Sequence, residues 1–343
     1  MENLMTKTSH HTGPSEHTKG DHFPPPPFDP ELAPILAEAS QWISPSMTYE
    51  QIHENRAASD NWAPRLDHET LSRGGAFAVE ERLVPGPEGA PEVALLICTP
   101  VGVSAPTPAI YFTHGGGMTS GHNTAGIGQP LDWAEEVGCA VVSVEYRLAP
   151  EHRHPAAIED CYAGLRWTSD NASDLNIDPS KIVVAGASAG GGLTAALALL
   201  ARDRGEPGLA GQMLLCPMLD DRNDSPSGRQ MAGVGIWDRT SNETGWTALL
   251  GASRGGPEVS PYASPARADD LSGLPPTFID VGSAETFRDE DVAYASRIWA
   301  AGGEAELHVW PGGFHGYTVV APHARLSQDT VKAQVQWLRR LLL

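Results

Sequence analysis

From residue 76 the chain alternates between short apolar runs and longer amphipathic stretches. The short runs are rich in Val, Ile, Leu and Phe and are bounded by Gly, Pro and polar residues. They predict strands at 76–85, 92–99, 108–113, 139–146, 181–186, 210–217, 275–281 and 304–310. The longer stretches repeat their apolar residues at helical spacing and predict helices at 127–137, 156–170, 190–204, 288–301 and 322–342. Strand and helix taking turns is the rhythm of an α/β protein, here a mostly parallel central sheet of about eight strands with helices on both faces.

Two stretches break that rhythm. Residues 30–73 read as helical, with Leu32, Ile35, Leu36, Ala39 and Ile43 forming one apolar stripe. The stripe either packs on the core or belongs to a cap helix that lines an apolar pocket. Residues 218–262 are polar and glycine-rich, with a helix expected over Ser241–Leu250. Met231, Val234, Ile236 and Trp237 in this stretch either wall a pocket or form a small cluster of their own. Residues 1–27, polar and ending in Pro24-Pro25-Pro26-Pro27, read as a disordered tail.

Composition narrows the class. The chain has 343 residues, 41% of them hydrophobic, enough for one large domain with a substantial core. A formal net charge of −20 argues against nucleic acid and anionic membrane surfaces as partners. No apolar run approaches the length of a membrane span, and the first residues lack the apolar core of a secretion signal. Cys98, Cys139, Cys161 and Cys216 are widely spaced, without metal-site spacing, and read as reduced packing residues of a cytoplasmic protein. No metal or cofactor site is expected.

The candidate chemistry sits at strand ends. Gly186-Ala187-Ser188-Ala189-Gly190 follows the apolar run Lys181-Ile182-Val183-Val184-Ala185 and precedes a helix. That is the strand–turn–helix setting of a nucleophile elbow, with glycines where side chains would collide. With 36 glycines in the chain such a pentapeptide can arise without function, so it needs company. The company is His114-Gly115-Gly116-Gly117, again after an apolar run. Glycines let the backbone come close to a substrate, and the N–H groups of Gly115, Gly116 and Ala189 are the candidate oxyanion hole. His114 is read as a residue that holds this loop.

A general base is expected beyond the last strand. His315, in Gly312-Gly313-Phe314-His315-Gly316, fits; His323, at the start of the last helix, is its rival among 13 histidines. An acid is expected after the strand at 275–281. Glu285 fits best, Asp280 falls inside the strand, and Asp289 falls in the first turn of the next helix and stands in reserve. The order Ser188, Glu285, His315 is that of α/β-hydrolases.

Over residues 75 to 340 the chain resembles the bacterial hormone-sensitive-lipase-like esterases, family IV of the carboxylesterases. The resemblance rests on His114-Gly115-Gly116-Gly117, on Glu145-Tyr146-Arg147-Leu148-Ala149-Pro150-Glu151 with Pro155-Ala156-Ala157, on Gly186-Ala187-Ser188-Ala189-Gly190-Gly191, on Leu274-Pro275-Pro276 with Gly282-Ser283-Ala284-Glu285, and on His315-Gly316. It implies the α/β-hydrolase fold and cofactor-free hydrolysis of small-molecule carboxylic esters, mostly with short acyl chains. It also implies a helical cap and dimers formed through the last strand and helix. On that basis residues 28–75 and 218–262 are assigned to the cap, and 76–217 and 263–343 to the core. Two positions depart from the family pattern: Ala187 stands where Asp or Thr is usual, and Glu285 where Asp is more common. The Arg147 and Glu151 segment is read as a brace for the oxyanion loop. An amidase or lactonase on the same residues, or a non-catalytic receptor of the same fold, are the alternative readings.

Overall fold

The computed structural model describes residues 24–62 and 64–343; most of the tail expected at 1–27 lies outside them. Eight strands form one sheet: β1 (Phe77–Val84), β2 (Val93–Pro100), β3 (Thr107–Thr113), β4 (Ala140–Glu145), β5 (Ile177–Ala187), β6 (Gly211–Leu215), β7 (Thr277–Gly282) and β8 (Ala305–Trp310). Their spatial order is β1-β2-β4-β3-β5-β6-β7-β8. β2 pairs antiparallel with both β1 and β4, and the pairings from β4 through to β8 are parallel.

Alternation along the strands builds two cores. Leu95, Ile97, Tyr111, Val142 and Val184 face one side, where they meet Ile158, Leu165, Leu193 and Leu197. Those partners come from α5 (Ala156–Asp170) and α6 (Ala189–Arg204). Leu96, Cys98, Ile110, Phe112 and Val183 face the other side, against Leu131 and Trp133 of α4 (Gly128–Val137) and Trp337 and Leu338 of α11 (Arg325–Leu342). Strands sealed on both faces read as continuous apolar runs, which is why β3 to β7 were legible. Beyond them, α9 (Arg288–Ala300) covers β7 with Tyr294 and Ile298.

Three expectations need correction. The stretch 30–73 is not one helical segment but three short helices, α1 (Ala33–Ala39), α2 (Ile52–Trp62) and α3 (His68–Leu71). Pro45 and Pro64 fall in the breaks, where a ring without an N–H cannot continue a helix. β5 begins at Ile177 rather than 181, because Ile177 pairs with Thr107 ahead of a register shift. The last helix begins at Arg325 rather than 322, since Pro322 and the short helix α10 (Tyr317–Val320) precede it.

The N-terminal segment is tied down in two places. Leu32, Leu36 and Ala39 are buried, and the first two pack with Phe314, Tyr317, Ala321 and Ala324 beyond β8. Residues 45–47 are stitched to α8 (Arg239–Leu250). Ser241 Oγ donates to the Pro45 carbonyl at 2.7 Å, Met47 N–H donates to Ser241 Oγ at 2.8 Å, and Thr244 Oγ1 donates to the Met47 carbonyl at 2.7 Å. The expected helix at 241–250 is therefore present, two residues longer at its start, with Asp238 capping it through Ser241 N–H. Among the described residues no helix is long and apolar enough to cross a membrane.

Candidate active site

β5 ends at Ala187 and α6 starts at Ala189, so Ser188 turns the chain on its own. Its backbone takes φ 58° and ψ −123°, outside the regions comfortable for a residue with a side chain. The flanking glycines allow the turn. A Cβ on Gly186 would strike the Gly190 carbonyl and the hydroxyls of Thr113 and Thr194, and one on Gly190 would strike the carbonyls of Thr113 and His114. Ala187, between the strand and the serine, packs with the core on the α4 face.

His315 reaches Ser188 from the loop after β8. Its Nε2 lies 3.0 Å from Ser188 Oγ, and its Nδ1 lies 3.0 Å from each carboxylate oxygen of Glu285. Glu285 is 1% exposed and also accepts the Phe287 N–H at 3.2 Å. The Phe287 ring stands edge-on to the His315 ring at 5.3 Å. The other two acids are engaged elsewhere. Asp289 accepts from the Ser227 N–H at 2.8 Å and pairs with Arg288, while Asp280 accepts from Gln334 Nε2 at 2.7 Å. Burial pushes the Asp280 carboxyl up to about 7, against the Gln334 hydrogen bond that lowers it. His323 is exposed, in the turn before α11.

The glycine loop lies beside the elbow. A Cβ on Gly115 would come within 3.1 Å of the Ala187 carbonyl oxygen and 3.5 Å of Ser188 Cβ, so the loop backbone touches the nucleophile turn. Gly116 has φ 119° and Gly117 φ 60°, conformations that favour glycine. The N–H groups of Gly115, Gly116 and Ala189 have no acceptor among the described residues. His114 anchors the loop: its ring stacks on Tyr146 at 4.1 Å, and Tyr146 Oη donates to the His114 carbonyl at 2.7 Å. Burial lowers the His114 pKa to about 4, so the ring stays neutral at ordinary pH.

The brace expected from Arg147 and Glu151 divides. Glu151 pairs with Arg56 of α2 at 2.9 Å, and Arg56 donates to the carbonyls of Thr119 (2.7 Å) and Ala149 (3.0 Å). That does hold the chain just past the glycines. Arg147 instead forms a forked pair with Asp160 on α5, so it braces the helix layer and not the loop.

The pocket residues expected from sequence fall at different places. Trp237 is at the relay, its ring 6.4 Å from His315 and against Gly117, where a Cβ would meet its outer edge. Its carbonyl accepts from Thr286 Oγ1 at 2.6 Å, which ties it to the Glu285 loop. Ile236 packs with Leu36 in the cluster around Phe314. Met231 is buried beside Gly235, and Val234 is half-buried. Tyr146, Arg56 and Phe287 also belong to the site, although no motif marks any of them as a site residue by itself. Tyr146 lies within the run Glu145–Glu151, whereas Arg56 and Phe287 are brought in by chain reversals no local pattern records. Cys216 was read as buried packing inside a strand; it lies one residue past β6, half-buried, close to Glu285 and His315.

A serine, an imidazole and a carboxylate in line, above the C-terminal ends of a mostly parallel sheet, are the arrangement by which an α/β hydrolase performs acyl transfer. Comparison with known proteins agrees. A family model described as the alpha/beta hydrolase fold matches residues 110–319. Carboxylesterase NlhH of Mycobacterium tuberculosis is 39% identical over 272 residues, which is 77% of this chain and 83% of that protein. Esterase LipI of the same organism is 35% identical over 64% of this chain and 69% of its own length. Among solved structures, a bacterial heroin esterase superposes with TM-score 0.84 at 37% identity, covering 92% of this chain and 98% of that one. This chain belongs to the hormone-sensitive-lipase-like, family IV carboxylesterases of the α/β-hydrolase superfamily, and it is a serine carboxylic ester hydrolase.

Proposed function

We propose that Ser188 is the nucleophile, His315 the general base and acid, and Glu285 the residue that orients the imidazole and stabilises its charged form. The observation that carries this reading is His315 bridging the other two, 3.0 Å from each. His315 Nε2 takes the Ser188 proton as Oγ attacks the ester carbonyl. The free N–H groups of Gly115, Gly116 and Ala189 receive the oxyanion. The alcohol leaves with the proton from His315, and water activated by the same ring hydrolyses the acyl-enzyme. A neutral, anchored His114 serves the loop by fixing its backbone rather than by moving protons.

The substrate in this reading is a small carboxylic ester with a short to medium acyl chain, handled without a cofactor. Trp237 across Gly117 and beside His315 supports a short acyl site. The segments 28–75 and 218–262 act together as a cap, a reading supported by the hydrogen bonds joining residues 45–47 to α8. The protein works in the cytoplasm, with no nucleic-acid or membrane partner. It associates as a homodimer through β8, which lies at the open edge of the sheet, and α11.

Hydrolysis of p-nitrophenyl esters from acetyl to palmitoyl, with Ser188→Ala alongside, tests the mechanism and reads the pocket length. The variant should lose at least about 1,000-fold in kcat, and activity should concentrate on short chains. A folded wild type inert to every ester would favour an amide substrate or a ligand-binding role.

A further inference from the structure

Cys216 has no task in acyl transfer, yet its backbone is held in an unusual state. It sits at φ 36°, in the left-handed region that residues with side chains seldom adopt. Hydrogen bonds fix the turn from both sides: Cys216 N–H to the Asp280 carbonyl at 2.7 Å, Ser188 N–H to the Leu215 carbonyl at 2.8 Å, and Met218 N–H to the Ser188 carbonyl at 2.9 Å. Such a conformation persists where its surroundings over-determine it, and it marks functional sites more often than others. Here it brings the thiol to the relay. Cys216 Sγ, a carboxylate oxygen of Glu285 and a ring nitrogen of His315 all lie within 4.8 Å of one another. Cys98, Cys139 and Cys161 are fully buried, whereas Cys216 is half-buried.

We propose that Cys216, Glu285 and His315 form a binding site for a zinc-class divalent cation, and that filling it switches hydrolysis off. The donor set is one thiolate, one imidazole and one carboxylate, the three ligand types zinc prefers. A sulfur and a nitrogen donor select against magnesium and calcium, which take oxygen ligands. Zinc bonds of about 2.0–2.3 Å place ligand atoms roughly 3.3–3.8 Å apart in a tetrahedral site, so the present spacing needs only small side-chain rotations to close. Nδ1 is the ring nitrogen that faces Glu285, at 3.0 Å. A cation entering there takes electron pairs from sulfur, Nδ1 and the carboxylate. The thiol proton passes to solvent, the ring proton moves from Nδ1 to Nε2, and a fourth position is left for water. The hydrogen bond that orients His315 is thereby replaced by a metal bond, and Nε2, now carrying the ring proton, can no longer accept the Ser188 proton.

The switching-off rests on the acyl-transfer reading above; the binding does not. Cobalt(II) titrated into the metal-free full chain reports a thiolate ligand by a near-ultraviolet charge-transfer band. The band is expected at one equivalent in the wild type and in Ser188→Ala, is lost in Cys216→Ser, and is displaced by zinc. In parallel, zinc is titrated against p-nitrophenyl acetate hydrolysis, each protein scaled to its own metal-free rate. The half-inhibiting concentration should rise at least tenfold in Cys216→Ser and Cys216→Ala, and a chelator should restore the wild type. An active wild type with no thiolate band overturns the proposal, as does equal inhibition of wild type and both variants. If the variants do not fold, the wild-type titration decides alone. If Ser188→Ala keeps the band and also keeps hydrolysing, the acyl-transfer reading falls while the cation site stands.

Discussion

Glu285 offers both carboxylate oxygens to His315 Nδ1 at equal distance, a geometry that its length makes possible from a loop anchored at Phe287 N–H. Glu285→Gln keeps the shape but removes the charge that favours the imidazolium. It should lower kcat by about 10⁴-fold with little change in KM, measured on p-nitrophenyl acetate; a loss under tenfold would remove Glu285 from the relay. Glu285→Asp shortens the reach by one methylene and should fall between the two. At this scale the sequence singles out Ser188 and His315, because glycines at fixed offsets advertise a backbone that side chains would block. Glu285 was separable from Asp280 and Asp289 only by where the strand ends, and the structure places it against His315. The Cys216 turn left no such trace: a positive φ at a cysteine is imposed by the hydrogen bonds around it, which join residues far apart in the chain.

Trp237 and Arg56 show how elements outside the sheet shape what the sheet presents. Trp237 lies between Gly117 and His315, and its carbonyl is held by Thr286. Trp237→Ala should lengthen the accepted acyl chain, raising kcat/KM for octanoyl relative to acetyl esters at least tenfold. An unchanged chain-length profile would place the acyl pocket elsewhere. Arg56 ties α2 to the carbonyls of Thr119 and Ala149 and pairs with the partly exposed Glu151. Arg56→Met leaves those carbonyls to water and frees the stretch behind the oxyanion loop. The expected result is a fall in kcat of about tenfold, the loss of one to two kcal/mol of positioning, with thermal stability shifted by only a few degrees. A rate unchanged within twofold would make the contact purely structural. The elements themselves were legible where one periodicity ran uninterrupted, as in β3 to β7 and in α4, α5, α6 and α9. They blurred at 30–73, where an apolar stripe of helical spacing ends after α1 and prolines divide the rest.

Across the whole molecule, two buried groups pull stability in opposite directions with pH. His114 titrates at about 4 when folded and near its ordinary 6.5 when unfolded. Between those values the unfolded chain binds more protons, so this contribution is complete above 6.5 and is lost as pH falls toward 4. Asp280 is raised from 3.8 to about 7. Here the folded chain holds the extra proton, so stability is retained below 3.8 and is lost as pH rises through 7. Glu290 and Asp291, also buried, are raised in the same sense as Asp280. The carboxyl cluster behind the relay therefore penalises the folded state on the alkaline side, and the oxyanion-loop histidine penalises it on the acid side. Asp280→Asn removes one of these buried carboxyls while keeping an oxygen for Gln334 Nε2 to donate to. Each pKa unit is worth about 1.4 kcal/mol, so the variant should gain up to about 4 kcal/mol over wild type at pH 8, as an upper bound. The gain should shrink steadily as pH falls toward 4. Urea unfolding midpoints at pH 5, 6, 7 and 8 read this directly. A difference that does not change with pH would mean that Asp280 stays in one protonation state throughout, and that some other group sets the alkaline limit of the fold.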